Sequence, residues 1–172
     1  DENEKHYGKS KNHFLKNVMY KNSRTGQIVI ATVTGDLEVN KTKLEQVTKM
    51  VGQLEDAEES DLSSLGTKSG YVHSWGYKNV LTVADDVFLS ARNLIGGQKT
   101  ETTDTANVNY GRDFTCDIVG DIAMAAPGSL AQNGQKYVEK KGIEVGNVFQ
   151  LGYHYSSLMK GASFTAEDGT EK

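Results

Sequence analysis

The chain has 172 residues, 24% of them charged and 37% hydrophobic, a balance that supports a folded domain with its own core and excludes a disordered polar tail. The formal net charge of −4 argues against a general binder of nucleic-acid backbone, but not against a pocket that takes only the end of a strand. The longest apolar run, Ile28 to Val33, is too short to cross a bilayer, and the one cysteine, Cys116, excludes an internal disulfide and fits a reducing compartment.

In chain order, residues 1–12 are polar and read as a linker or frayed segment. Phe14 to Tyr20 has strand-like apolar spacing, Asn22 to Gly26 is a turn cluster, and Gln27 to Thr34 is a β-branched run typical of a buried strand, so the pair reads as a hairpin. Gly35-Asp36 breaks the strand. Asn40 then caps a helix carrying Leu44, Val47 and Val51, with Gly52 as its stop. Asp56 to Leu65 reads as a second short helix, capped by Asp56 or Ser60 and stopped by Gly66. Gly66 to Gly76 is a glycine-punctuated loop. Asn79 to Val83, Asn93 to Gly97, Ala106 to Tyr110 and Ile118 to Ala125 read as strands, while Val87 to Arg92 fits either state. Gly128 to Gly134 is a loop, Tyr137 to Gly152 mixes a charged and an apolar segment, and Tyr155 to Met159 begins a helix. Strands and helices intermix without a βαβ rhythm, which places the chain in the α+β class.

The common catalytic signatures are absent: there is no GxxxxGK[ST], GxGxxG or GxSxG. His6, His13, His73 and His154 have no metal-ligand spacing, so no metal site is expected. Two segments remain. In TGDLEVNKTKL (Thr34 to Leu44) a buried strand leads into Asp36, Glu38 and Asn40, and Lys43 follows near the start of a helix. A lysine there is either solvated surface or, in a cleft, a group that holds a phosphate or polarises an ester carbonyl. In GIEVGNVFQLG (Gly142 to Gly152) two inner glycines bracket apolar residues; the segment reads as a tight strand bend packed by Val148, Phe149 and Leu151, or as backbone approaching a partner closely.

Together these segments resemble the editing domain inserted in bacterial-type prolyl-tRNA synthetases. TGDLEVNKTKL is similar to that family's RGDHEVNEVKL, Val108 to Phe114 (VNYGRDF) to its Arg-Asp stretch, and Gly142 to Met159 to its GIEVGHIFQLGTKYSEAM. The tail GASFTAEDGTEK resembles the family's exit towards its third class II motif, so the likeness runs from about Phe14 to Lys172. It implies a YbaK-like fold, an α+β mixed, mostly antiparallel sheet flanked by helices, with residues 13–165 as the editing domain between linkers 1–12 and 166–172.

The resemblance also implies an activity: hydrolysis of alanine wrongly esterified to proline tRNA, because a synthetic site shaped for proline cannot strongly reject a smaller side chain. It implies Lys43 as the catalytic lysine, Asp117 either facing the substrate ammonium or serving as a structural hydrogen-bond acceptor, Gly146 lining a small pocket, and Asn147, Gly70, His73 and Ser74 at substrate-binding positions. Two departures stand out. Asn147 replaces the family's histidine, and His73-Ser74 replace a Gly-Pro pair in the loop Gly70 to Gly76. The editing domain itself needs no cofactor; ATP and magnesium belong to the parent enzyme. The implied partners are the 3′ end of alanine-bearing proline tRNA and the remainder of a cytoplasmic, homodimeric synthetase, with no membrane. Two other readings stay open: a degenerate, non-catalytic insertion that supports the synthetase or guides the tRNA end, and a freestanding deacylase.

Overall fold

The computed structural model describes residues 2–100, 103–131, 133–152 and 154–171. Asp1 and Lys172, at the ends of the expected linkers, and Tyr153, within the expected GIEVG block, lie outside the described residues. The chain forms two compact units, Asp1–Tyr137 and Val138–Lys172.

The first unit is built on a five-stranded sheet in the order β3-β1-β2-β4-β7. Its strands are β1 (Leu15–Asn22), β2 (Ile28–Thr34), β3 (Leu54–Asp56), β4 (Val80–Asp85) and β7 (Ile118–Gly120). β1 pairs antiparallel with β2 and β3, whereas β2–β4 and β4–β7 are parallel. A second, antiparallel ribbon joins β5 (Leu94–Thr100) to β6 (Thr103–Val108), so three of the five strand pairings are antiparallel and the architecture is mixed α+β.

β2 (IVIATVT) is buried along its whole length, as its β-branched composition requires for a central strand covered on both faces. Val29, Ala31 and Val33 pack with Val83, Ile122 and Leu44 of helix α2 (Lys41–Thr48). The alternate residues Ile28 and Ile30 pack with Met19 and Leu62 of helix α3 (Glu59–Ser64), with Val72, Tyr77 and Val80 at the margin. A third cluster gathers Ala84, Phe88, Leu94, Val108 and Phe114. The hairpin turn forms as expected: the Asn22 side-chain oxygen accepts from the backbone N–H groups of Arg24 and Thr25 at 2.9 and 3.0 Å.

Several sequence expectations require correction. The N-terminal segment is not frayed throughout: α1 spans Glu2–Tyr7, and the Tyr7 hydroxyl donates to Asp104 at 2.5 Å. α2 ends at Thr48 rather than Gly52, because Lys49 takes the left-handed conformation (φ 60°) and closes the helix; Val51 is left exposed. α3 starts at Glu59, with Glu58 and Asp61 forming a reciprocal capping box, while Asp56 belongs to β3. The segment from Val87 forms a short 3₁₀ helix over Asp86–Leu89. The strand expected over Ile118 to Ala125 stops at Gly120, and Ala123 makes only an isolated bridge to Val39.

The second unit holds little regular structure. The expected helix at Tyr155 to Met159 is one 3₁₀ turn, Ser156–Leu158, and a single bridge joins Thr165 to Glu171. The bend packed by Val148, Phe149 and Leu151 is not formed, for those side chains are 96%, 72% and 54% exposed.

Candidate active site

The parallel strands β2, β4 and β7 end close to one another, and chain leaving the carboxyl ends of such strands is where α/β sheets bind ligands. After β2 the chain turns at Gly35, whose hydrogen in place of a side chain is required: a Cβ would lie 2.8 Å from the Lys11 carbonyl oxygen. It then runs to Asn40, the N-cap of α2, whose side-chain oxygen accepts from the Lys43 N–H at 3.1 Å. This stretch is zipped to the segment after β7: Asn40 N–H donates to Ile122 O at 2.8 Å and Met124 N–H to Glu38 O at 2.7 Å.

Asp85, at the end of β4, organises that second segment. It is 3% exposed, and its Oδ2 accepts from the N–H groups of Ile122 and Ala123 at 3.0 and 2.9 Å. Its Oδ1 accepts from Val87 N–H at 3.1 Å. A buried carboxylate with three backbone donors is well solvated by protein and holds the chain that carries Asp121.

Lys43 is thereby brought to Asp121. Its Nζ donates to both carboxylate oxygens, at 2.7 and 2.8 Å, and to Ala123 O at 2.9 Å. The lysine side chain is 35% exposed and the aspartate 64%, so the pair is held by the fold yet open to solvent. Asp86 lies in the same field: partial desolvation first, then the charges of Asp85 and Asp121, push its carboxyl up, and Lys43 partly opposes them.

The other expected site residues of the first unit are placed differently. Asp117 sits at the opposite end of β7 from Asp121. Its Oδ2 accepts from Thr82 N–H and Thr82 Oγ, both at 2.8 Å, which holds its carboxyl below the usual range. Ser74 is 1% exposed and donates to Asn17 Oδ1 at 2.8 Å; Thr32 Oγ donates to the same oxygen at 2.8 Å, and Asn17 Nδ2 donates to Val72 O at 3.0 Å. His73 stacks on Tyr77 with ring centroids 4.6 Å apart, its Nδ1 3.2 Å from the Tyr77 hydroxyl. Gly70 adopts φ +84° at the loop tip. Gly146 and Asn147 belong to the second unit, where both are exposed.

Gly70 lines a cleft of about 490 Å³ that also takes in Leu15, Asn17, Met19, Leu62 and Val72. Met19 and Leu62 belong to the cluster on the sheet face away from α2, and Lys43 is not among the cleft's lining residues.

The sequence reading passed over Asp121 and Asp85. The signal for Asp121 was present in CDIVGDI, which carries two acids four residues apart, but only the fold shows which one meets Lys43. Among the described residues no group of three or more His, Cys, Asp or Glu side chains is arranged to hold a metal ion, and no helix is long and apolar enough to cross a membrane.

The fold is shared in outline with a solved structure: the crystal structure of hypothetical protein APE2540 superposes with a TM-score of 0.60 at 18% identity, over 72% of this chain and 82% of its own. A sheet of this kind, ending in a capped helix with a paired lysine, defines a mixed α+β domain with a candidate site at its strand ends. The profile of the aminoacyl-tRNA editing domain matches residues 1–114, and the chain belongs to that family. Its relatives include the proline–tRNA ligases of Dehalococcoides mccartyi strain 195, 38% identical over 90% of this chain, and of Thermoanaerobacter sp. strain X514, 36% identical over 96%. The chain spans only 27% and 29% of the length of those two relatives.

Proposed function

We propose that this chain is the editing insertion of a prolyl-tRNA synthetase and that it hydrolyses alanine from mischarged proline tRNA. The observation that supports the reading best is the Lys43–Asp121 pair at the carboxyl ends of the parallel strands. An aminoacyl ester is already activated, so water suffices as nucleophile, assisted by the neighbouring ribose hydroxyl. Water adds to the ester carbonyl, the tetrahedral oxyanion collapses, and the ribose oxygen leaves with a proton to give free alanine and intact tRNA.

Within this proposal Lys43 supplies positive charge to the carbonyl oxygen as it becomes an oxyanion, a preorganised contribution of the oxyanion-hole type. Asp121 keeps the ammonium in place, and its exposed edge accepts from the α-ammonium of the aminoacyl group. Asp117 is assigned no direct step, because Thr82 holds it at the opposite end of β7 from the Lys43 pair. No cofactor takes part in the domain's reaction; ATP and magnesium serve the parent's synthetic site. The partners are the tRNA 3′ end and the remainder of a cytoplasmic, homodimeric synthetase. The strongly exposed Ile143, Val145 and Val148 fit a segment completed by that remainder.

A second reading, a non-catalytic insertion, draws on the inward-turned Ser74 and the stacked His73, which serve the loop's own structure. The deciding experiment follows release of alanine from alanyl-tRNA(Pro) by the full-length parent and by its Lys43→Ala variant. Release that disappears in the variant supports editing; no release by the intact, folded parent overturns it in favour of the second reading.

A further inference from the structure

The stretch from Gly35 to Asn40 delivers Lys43 to its partners, yet it forms neither helix nor ladder strand, and Val39 makes only an isolated bridge to Ala123. Its backbone is tied down at both ends. Gly35 N–H donates to Phe14 O at 2.8 Å, and Asn40 N–H donates to Ile122 O at 2.8 Å. Between those ends, two successive carbonyls take donors from other elements. Met124 N–H reaches Glu38 O at 2.7 Å, and the Lys16 ammonium reaches Leu37 O at 3.3 Å.

Lys16 grips this stretch twice, because its ammonium also pairs with the Glu38 carboxylate. An ammonium carries three donors and no acceptor, so it can serve a carbonyl and a carboxylate at once. The backbone of Lys16 is itself held by the sheet, on β1 opposite Val33 of β2. The two side chains are 32% and 69% exposed, so the pair adds little to global stability. Its effect is local, and the path from it to Lys43 is short. Glu38 O is bonded to Met124 N–H, and the preceding residue, Ala123, offers its carbonyl to Lys43 Nζ at 2.9 Å. Asn40, two residues beyond Glu38, accepts from Lys43 N–H at 3.1 Å. A displacement at Glu38 therefore reaches Lys43 at both ends: its backbone through Asn40 and its ammonium through Ala123.

We propose that Lys16 is a positioning residue for the Lys43 site. Paired with Glu38, it sets the stretch Gly35 to Asn40 against residues 122–124 and so fixes where the Lys43 ammonium stands. Lys16 touches no substrate in this role. The assignment rests on the editing reading above and deepens it. A stabilising group displaced by about 1 Å can cost on the order of a hundredfold in rate. Lys43 acts on the oxyanion, which exists only beyond the ground state, so loss of Lys16 lowers kcat and leaves KM in place.

The test follows alanine release from alanyl-tRNA(Pro) by the full-length parent and its variants, with amide hydrogen exchange measured on the same proteins. Lys16→Met keeps the aliphatic stem and removes the ammonium. Its kcat is expected to fall about tenfold with KM within about twofold of the parent's. Exchange at Asn40 and Met124 is expected to quicken. Lys16→Arg, whose guanidinium also serves two oxygens, is expected to recover most of kcat. Glu38→Gln breaks the same pair from its solvent-exposed side, where folding is not at stake, and is expected to lower kcat in the same direction. Unchanged kcat in Lys16→Met and Glu38→Gln, a change in KM alone, or Lys16→Arg as slow as Lys16→Met would each overturn the proposal. The two readings fail separately. If the wild-type parent releases no alanine, the editing reading fails, and unchanged exchange in Lys16→Met would show on its own that Lys16 does not hold the stretch. If the parent releases alanine and Lys16→Met does so equally fast, the positioning assignment fails alone.

Discussion

Lys43 and Asp121, 78 positions apart in sequence, meet with Nζ 2.7 and 2.8 Å from the two carboxylate oxygens. An ion pair this exposed contributes little to stability, about 0–1 kcal/mol. Lys43→Ala and Asp121→Asn are therefore expected to unfold within about 1 kcal/mol of wild type in urea, while under the proposed editing function alanine release falls by roughly 10²–10³-fold for the lysine variant. A Lys43→Ala chain that loses several kcal/mol would show instead that the pair is structural.

The Ser74 hydroxyl tests a different part of the fold. It is buried and donates to Asn17, so Ser74→Ala leaves that acceptor with Thr32 as its remaining donor. A loss of about 1–2 kcal/mol in urea unfolding is expected. Ser74→Thr, which keeps the hydroxyl but adds a methyl group to a closed site, is expected to recover part of that hydrogen bond at a packing cost.

Much of the scaffold was legible because it is local. The β-branched run Ile28 to Thr34 reads as a buried strand, the Asn22 turn fixes the hairpin, and Asn40 announces its helix through its capping side chain. What was not legible depends on distant chain. Asp117 and Asp121 flank a three-residue strand, and local pattern does not say that one end meets Thr82 and the other Lys43. The helix stop was misplaced because Lys49, a non-glycine residue, takes the left-handed turn before Gly52 is reached. The family resemblance put Ser74 at a substrate-binding position, and its hydrogen bond to Asn17, 57 residues away, has no local signal.

The Asp117–Thr82 clamp makes a pH prediction. The two Thr82 hydrogen bonds lower the folded-state pKa of Asp117 below its ordinary value of about 3.9. A lowered carboxylate pKa contributes stability above the unfolded value and loses it as pH falls through the folded value. Asp117→Asn is therefore expected to destabilise at pH 7, with the difference from wild type shrinking towards pH 2–3. Urea midpoints across that range check it; a constant difference would show that the carboxylate's charge plays no part.

Cys116 offers a probe of the same region. Burial pushes its thiol up to about 11, so little thiolate exists at neutral pH. Alkylation of the native chain at pH 8 is expected to be much slower than that of the urea-unfolded chain. Labelling as fast as in urea would show that the segment joining Phe114 to β7 opens readily.

The second unit leaves an apolar segment uncovered. In Gly142 to Gly152 apolar residues alternate with others as in a strand, yet Ile143 and Val145 are 91% and 98% exposed and no ladder bonds are formed. Burying such side chains stabilises by about 1.5–3 kcal/mol each, and this segment forgoes that in the 172-residue chain. If the rest of a synthetase supplies the missing face, amide hydrogen exchange over residues 142–152 should be fast in the chain and strongly protected in the full-length parent. Exchange over β2 should be slow in both, because its strand neighbours and its covering helices all lie within the first unit. Equal, fast exchange over 142–152 in both proteins would mean that the segment remains open in the parent and that its apolar residues await another partner.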